Sequence, residues 1–247
     1  MSGDPAMKPI DVPTRETVAF VMSHSAAEAT VLEIGCGEGE VASVLLNRGY
    51  GVIGVDASQE VVARAQERGV PAVWATWPEF ECDAVDTVAF TRSLHHIAPI
   101  SGAIQKARQL LTKKGVLLVE DFSVYEADET TINWLLETLR APAGRALIQP
   151  VSGAFVTDLL AADDAVVVWR QSHDHDLHTI AAMTQAIAEE FIVRETCAVP
   201  YLYRYIVAVL PETPQATEFL QGVFEEEARL GGTGDIVLIG RRIVASL

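Results

Sequence analysis

The sequence predicts an α/β fold: a doubly wound, mostly parallel sheet of seven strands with a helical insertion after the fifth. Three observations carry that expectation. Strand-like and helix-like segments alternate five strands deep between Thr30 and Glu120, the order that winds helices onto both faces of a parallel sheet. The first strand runs into Gly35-Cys36-Gly37-Glu38-Gly39 where a helix begins, and open sheets of this kind bind ligands at the carboxyl ends of their strands. The second strand, Gly51 to Val55, is an unbroken run of small and branched residues closed by Asp56, the pattern of a strand covered on both sides.

At 247 residues the chain fits one sizeable α/β domain. A hydrophobic content of 49% with a mean hydropathy of +0.22 excludes a disordered chain. The longest apolar runs, Ala165 to Trp169 and Ile206 to Leu210, fall far short of the ~20 residues that cross a bilayer, so no membrane partner is expected. The opening MSGDPAMKPID is polar and lacks the apolar core of a secretion signal, which makes a cytoplasmic location the expectation. With 34 acids against 18 bases the formal charge is −16. Nucleic acid and anionic membranes are repelled over most of such a surface, which points to a small-molecule substrate. Cys36, Cys82 and Cys197 are odd in number and far apart, fitting neither a disulfide framework nor paired zinc ligands.

The glycine loop lets the backbone turn sharply and pass close to a ligand, and the residues around it select which ligand. A dinucleotide site uses G-x-G-x-x-G/A and holds a pyrophosphate on the helix N-terminus. Here the spacing is G-x-G-x-G, position 40 is Glu rather than a small residue, and Glu33, Glu38 and Glu40 crowd a pyrophosphate with like charge. A cationic ligand without phosphate suits the loop better. LEIGCGEGE resembles the first motif of class I S-adenosylmethionine-dependent methyltransferases, a Rossmann-like family whose cofactor carries a sulfonium cation. That resemblance implies S-adenosyl-L-methionine as cofactor, with Glu33, Gly35, Cys36, Gly37 and Gly39 in its first binding loop. It covers Thr30 to Glu120 strongly and the remainder weakly.

A leading helix is expected from Thr14 to Ser25, within an N-terminal lid segment of residues 1–26. In the resembled family such a helix often lies across the cofactor; the other reading is that it packs on the sheet edge. Asp56 follows Gly35 by 21 positions. With Ser58 read as the N-cap of a helix from Gln59 to Arg68, the Asp56 carboxylate, beside Ala57, is left to accept from both hydroxyls of a ribose. The third strand, Pro71 to Thr76, lacks the acid that the family often carries near its end for the adenine amino group. Thr76 and Trp77 stand there, and Trp77 reads equally as a ring stacked on adenine and as core.

After the fourth strand, Ala84 to Phe90, comes Thr91-Arg92-Ser93-Leu94-His95-His96-Ile97. In the resemblance this is the fourth motif, which puts Thr91 and Arg92 near the methionine end of the cofactor. A histidine, with an ordinary pKa of ~6.5, can take a proton from a substrate hydroxyl. His95 and His96 are therefore catalytic candidates, the competing reading being a histidine turned into the core. An apolar face from Ile100 to Leu111 predicts a helix ended by Lys113-Lys114-Gly115. The fifth strand, Val116 to Glu120, delivers Asp121 as a third catalytic candidate.

The alternation then breaks. Residues 123–178 show two helical stretches, Asp128 to Arg140 and Ala154 to Leu160, with Ala165 to Trp169 readable as a continuation of the second or as a short strand. An insertion at this place reads as a substrate-binding cap, the other reading being a packing elaboration. His173-Asp174-His175-Asp176-Leu177-His178 has H-x-H-x-x-H spacing, but its Asp is one place short of the metallo-hydrolase pattern and no partner cluster follows, so no metal is expected. A segment descending from the cap past the cavity makes His175 and His178 substrate-contact candidates. Thr179 is expected to cap a helix from Ile180 to Phe191. A sixth strand starts at Ile192, and Val199 to Leu210 reads as further β structure in which Tyr201, Tyr203 and Tyr205 share a face, strand packing being the default reading and Tyr203 the substrate candidate. Thr213 to Leu230 reads as helix, and Asp235 to Val244 resembles the family's antiparallel seventh strand.

The resemblance implies methyl transfer by in-line displacement to a small-molecule acceptor, with oxygen preferred because base candidates are at hand. Two other readings stand beside it: a protein that binds the cofactor without transferring methyl, as a non-methylating enzyme or a silent partner subunit, and a nicotinamide-dependent oxidoreductase.

Overall fold

The structure, a computed structural model, describes residues 7–172 and 177–247. Its strands are β1 (Thr30–Ile34), β2 (Gly51–Asp56), β3 (Ala72–Trp74), β4 (Val85–Thr91), β5 (Leu111–Phe122), β6 (Ile192–Val199) and β7 (Gly240–Ser246). They form one mixed sheet in the order β3-β2-β1-β4-β5-β7-β6. The pairings from β3 across to β5 are parallel, with Val31 opposite both Val52 and Thr87. The chain winds outward from β1 through β2 and β3, then returns to β4 on the other side of β1. The crevice between the ends of β1 and β4 is therefore a topological switch point, where such sheets bind ligands.

The helices are α1 (Asp11–His24), α2 (Glu40–Asn47), α3 (Gln59–Glu67), α4 (Ile100–Leu110), α5 (Glu129–Arg140), α6 (Pro142–Leu147), α7 (Phe155–Ala161), α8 (Ala165–Ser172), α9 (Ile180–Glu190), α10 (Tyr203–Ile206) and α11 (Pro214–Thr233). Strand residues point alternately to opposite faces, and both faces here are apolar. Leu32, Phe90 and Leu117 join Ile104 of α4 and Met183 of α9 in one buried cluster. Val31, Ala89 and Leu118 join Val21 of α1, Leu45 of α2 and Ala65 of α3 in another. The alternation also buries Glu120 on the α1 face, where it accepts the Thr17 hydroxyl at 2.6 Å and both Nε and Nη2 of Arg242 at 2.7 Å. The leading helix, which begins at Asp11 rather than Thr14, is thus bonded to the sheet by a buried ion cluster as well as by apolar contact.

Two compact bodies divide the described chain. One holds residues 14–122, 177–197 and 241–247 and contains the sheet. The other holds residues 7–13, 123–172 and 198–240 and is helical. The expected insertion of 123–178 therefore shares its body with a second, distant stretch of chain. Within the helical body the Trp169 indole N–H donates to the Val124 carbonyl at 2.9 Å, and the Val237 N–H donates to the Thr131 hydroxyl at 2.8 Å.

Three local expectations are corrected. Lys113-Lys114-Gly115 does not close a helix: α4 stops at Leu110, β5 starts at once, and pairing jumps from Val85 opposite Leu111 to Thr87 opposite Val116, so the intervening residues bulge from the strand. Ala165 to Trp169 lies in a separate helix, α8, opened by Asp164, whose Oδ1 accepts from the N–H groups of Val166 and Val167. Of the stretch from Val199 to Leu210 only Val199, the end of β6, is β; Tyr203–Ile206 and Val207–Val209 are helical. The Glu227 carboxylate of α11 accepts three successive N–H groups, from Tyr201, Leu202 and Tyr203, at 2.6, 2.9 and 3.0 Å. Those are the donors that the first turn of a helix leaves unsatisfied, and supplying their acceptor outweighs the β preference of Tyr and Val. Burial pushes the Glu227 carboxyl up to about 7, against the lowering effect of the three N–H groups.

Candidate functional site

The glycine loop is pinned to β2. Gly35 and Cys36 donate their N–H groups to the Val55 carbonyl at 2.8 and 3.1 Å, and Gly37 donates to Oδ2 of Asp56 at 3.0 Å. Oδ1 of Asp56 accepts the Ser58 N–H at 2.9 Å, while the Ser58 hydroxyl makes no cap bond. Ser58 is the N-cap residue of α3 as expected, held through its own N–H by Asp56, and each oxygen of that carboxylate still keeps acceptor capacity. Gly35 has φ +74°, and a Cβ there would lie 2.4 Å from Cβ of Ser93. Gly39 has φ +80°, and a Cβ there would lie 2.9 Å from Val70 and 3.0 Å from Ala65. The first glycine thus permits the β1 and β4 loops to touch, and the last permits α3 to pack.

The acids of the loop do not act as one negative patch. Glu38 pairs with Arg64 at 2.8 Å and Arg68 at 3.2 Å, and Glu40 pairs with Arg68 at 3.1 Å. These two arginines, one turn apart at the end of α3, neutralise the like-charge argument for two of the three acids. Glu33 is the exception. It is buried, accepts the Thr91 hydroxyl on Oε1 at 2.7 Å, and its Oε2 has no hydrogen-bond donor among the described residues. Burial raises its carboxyl to about 7, with the Thr91 hydroxyl and the Arg92 charge opposing that rise. The Cys36 thiol, packed where a Cβ on Gly54 would come within 2.8 Å of its sulfur, is pushed up to about 12 by burial.

A cavity of about 500 Å³ opens at the carboxyl ends of β1, β2 and β4, its wall formed by Gly35, Asp56, Ala57, Thr76, Trp77, Arg92 and His96 among others. Seven of the residues anticipated for cofactor or chemistry thus meet around one space. Glu33, Cys36, Gly37, Gly39, Thr91, His95 and Asp121 stand outside that wall. The Trp77 indole N–H donates to the Ala103 carbonyl at 3.1 Å within the core, and the residue also borders the cavity. Arg92, at φ +64°, donates its N–H to the Glu120 carbonyl at 2.7 Å. Ser93 went unnoticed in the sequence, where nothing distinguishes it, yet it lines the cavity and hydrogen-bonds the Ile34 carbonyl.

Beyond Ser93 a 3-10 turn, Leu94–His96, carries the two histidines. His95 is buried, its Nδ1 lying 2.6 Å from Oδ1 of Asp121, and its N–H donates to Oδ2 of the same carboxylate at 3.2 Å. A carboxylate at Nδ1 holds the proton there and leaves Nε2 as the acceptor. The His96 ring, exposed at the cavity, lies 4.0 Å from that of His95. Asp121 and both histidines are therefore gathered at the end of β4 and β5. His178 lies in the same body and bonds to this turn, its N–H donating to the His95 carbonyl at 2.9 Å.

Tyr203 belongs to α10, is buried, and packs edge-on to Phe224 with ring centroids 5.0 Å apart. His175 lies outside the described residues. Among the described residues no cluster of three metal-ligating side chains is found, and no helix is long and apolar enough to cross a membrane.

Residues 13–168, well over half of the chain, match the model of a family described as "Methyltransferase domain". An uncharacterised methyltransferase of Bacillus cytotoxicus is 33% identical over 110 residues, 41% of this chain and 52% of that protein. One from Mycobacterium bovis is 34% identical over 98 residues, 37% of this chain and 50% of that protein. The matched segment thus spans about half the length of these curated relatives. Among solved structures, an S-adenosylmethionine-dependent methyltransferase from Mesorhizobium loti superposes with a TM-score of 0.58 at 15% identity, covering 96% of this chain and 99% of the other, which shows a shared fold.

Proposed function

This chain belongs to the methyltransferase-domain family, and we propose that it binds S-adenosyl-L-methionine and transfers methyl to a small-molecule acceptor, at oxygen. The observation that carries the reading is the cavity at the switch point, lined by Gly35, Asp56 and Arg92 among others. The residues suit this cofactor. Asp56 has lone pairs left for two vicinal hydroxyls, Thr76 and Trp77 offer an edge and a ring to a base, and Glu33 places an unsatisfied carboxylate oxygen behind the loop, where a bound cation favours its charged form. When bound, the cofactor supplies a methyl group on a sulfonium, already activated for displacement.

The protein's own task is alignment, exclusion of water and movement of one proton. Asp121 holds Nδ1–H of His95, and Nε2 of His95 accepts the proton of an acceptor hydroxyl; His96 borders the cavity beside it. A net charge of −16 suits a small neutral or cationic acceptor.

Two measurements test the reading. Isothermal calorimetry is expected to show binding of S-adenosylhomocysteine and none of NADH; binding of NADH alone overturns the cofactor. Incubation with methyl-labelled S-adenosylmethionine and a panel of phenols, alcohols and amines is expected to label the hydroxylated compounds. Label confined to amines overturns the oxygen assignment, and absence of label with every class, in a protein that binds the cofactor, overturns methyl transfer.

A further inference from the structure

We infer that His178 is a positioning residue for the two-histidine turn, holding the backbone of residues 95–97 from outside and so setting the direction of the His95 ring. A 3-10 turn is short and its internal hydrogen bonds are poorly aligned. Here the internal bonds run from His96 N–H to the Ser93 carbonyl and from Ile97 N–H to the Leu94 carbonyl, each at 3.1 Å. The carbonyls of His95 and Ile97 point to a single outside residue. The His178 backbone N–H donates to the first at 2.9 Å, and its ring Nε2 lies 3.0 Å from the second. A carbonyl only accepts, so Nε2 of His178 carries a proton.

His178 is itself placed by α9. Thr179 caps that helix, its hydroxyl accepting the Ala182 N–H at 3.2 Å, and Ile180, Met183 and Ile187 are buried in the same cluster as Leu94 of the turn. A segment 81 positions away in the chain thereby fixes the turn whose ring meets Asp121 at 2.6 Å. His178, a candidate for substrate contact by sequence, has its Nε2–H engaged by the Ile97 carbonyl. Only the side-chain bond depends on the residue type. Gln carries an N–H at about the reach of Nε2, Asn falls one carbon short, and Phe fills the ring volume with no donor.

The proposal rests on the proton-accepting role given above to His95, but its test does not. The short bond from His95 Nδ1–H to Asp121 gives a far-downfield proton resonance, assigned by its loss in H95Q. Wild type and H178Q are expected to keep that resonance, whereas H178N and H178F shift or broaden it. Affinity for S-adenosylhomocysteine, read by calorimetry as the check on folding, is expected to stay within about twofold throughout. An unchanged resonance in folded H178N or H178F overturns the proposal, as does its loss in H178Q. Failure of the His95 role shows itself separately, as methyl transfer that survives H95Q.

Discussion

Replacing Glu33 by Gln should change how stability depends on pH. The Glu33 carboxyl is raised from 4.5 to about 7 by burial, so the folded state holds its proton more tightly than the unfolded chain. Its contribution to stability is therefore full below pH 4.5 and is lost as pH rises through about 7. A gap of about 2.5 pH units at about 1.4 kcal/mol each is a loss of about 3 kcal/mol across that window. Gln keeps an oxygen for the Thr91 hydroxyl and cannot ionise. The difference in unfolding free energy between E33Q and wild type should move by about 3 kcal/mol in favour of E33Q between pH 4 and pH 8.5, whatever constant offset the amide introduces. Urea denaturation at a series of pH values, followed by circular dichroism, measures it. Parallel stability curves for the two proteins would refute the buried-carboxylate reasoning. Binding should show the opposite preference: affinity for S-adenosylmethionine tightens in wild type as pH rises through about 7 and stays flat in E33Q.

Three further outcomes follow from other residues. G35A should destabilise by about 2–4 kcal/mol, combining a left-handed backbone with a clash against Ser93; G35A/S93G should recover the clash but not the backbone cost, and equal instability of the two variants counts against that division. D56A removes the acceptor for Gly37 and Ser58 as well as the proposed ribose contact, so affinity for S-adenosylhomocysteine should fall about 10- to 100-fold by calorimetry. E227Q, unlike E33Q, should destabilise by about 1–3 kcal/mol even above pH 7, because one amide oxygen cannot serve N–H groups on both Glu227 oxygens; a stabilised E227Q in urea melts would contradict the capping role.

Much of the sheet could be read because its signals are local. β2 is an unbroken run of small and branched residues to Val55 and β1 is apolar from Val31 but for Glu33, and the order of elements to β5 needs only the alternation of strand and helix periods. Thr179 was readable as a cap because a cap acts three residues away, on Ala182. The stretch from Tyr201 to Tyr205 was misread because its acceptor, Glu227, is 24 to 26 residues distant. The acids of the glycine loop looked like one negative patch for the same reason: Arg64 and Arg68 reach them from the end of the next helix.

By itself the sequence determined the family, the parallel winding and the residues that gather at the switch point, Gly35, Asp56, Arg92 and His96 among them. Only the tertiary structure decided what each polar group does there: that Asp56 also holds the loop, that Glu33 is raised while Glu38 and Glu40 are paired, that Asp121 faces His95, and that His178 is spent on the turn. The physical reason is that a carboxylate or an imidazole takes its role from the donors and acceptors within about 3 Å of it. Those partners come from segments that the chain brings together only by folding.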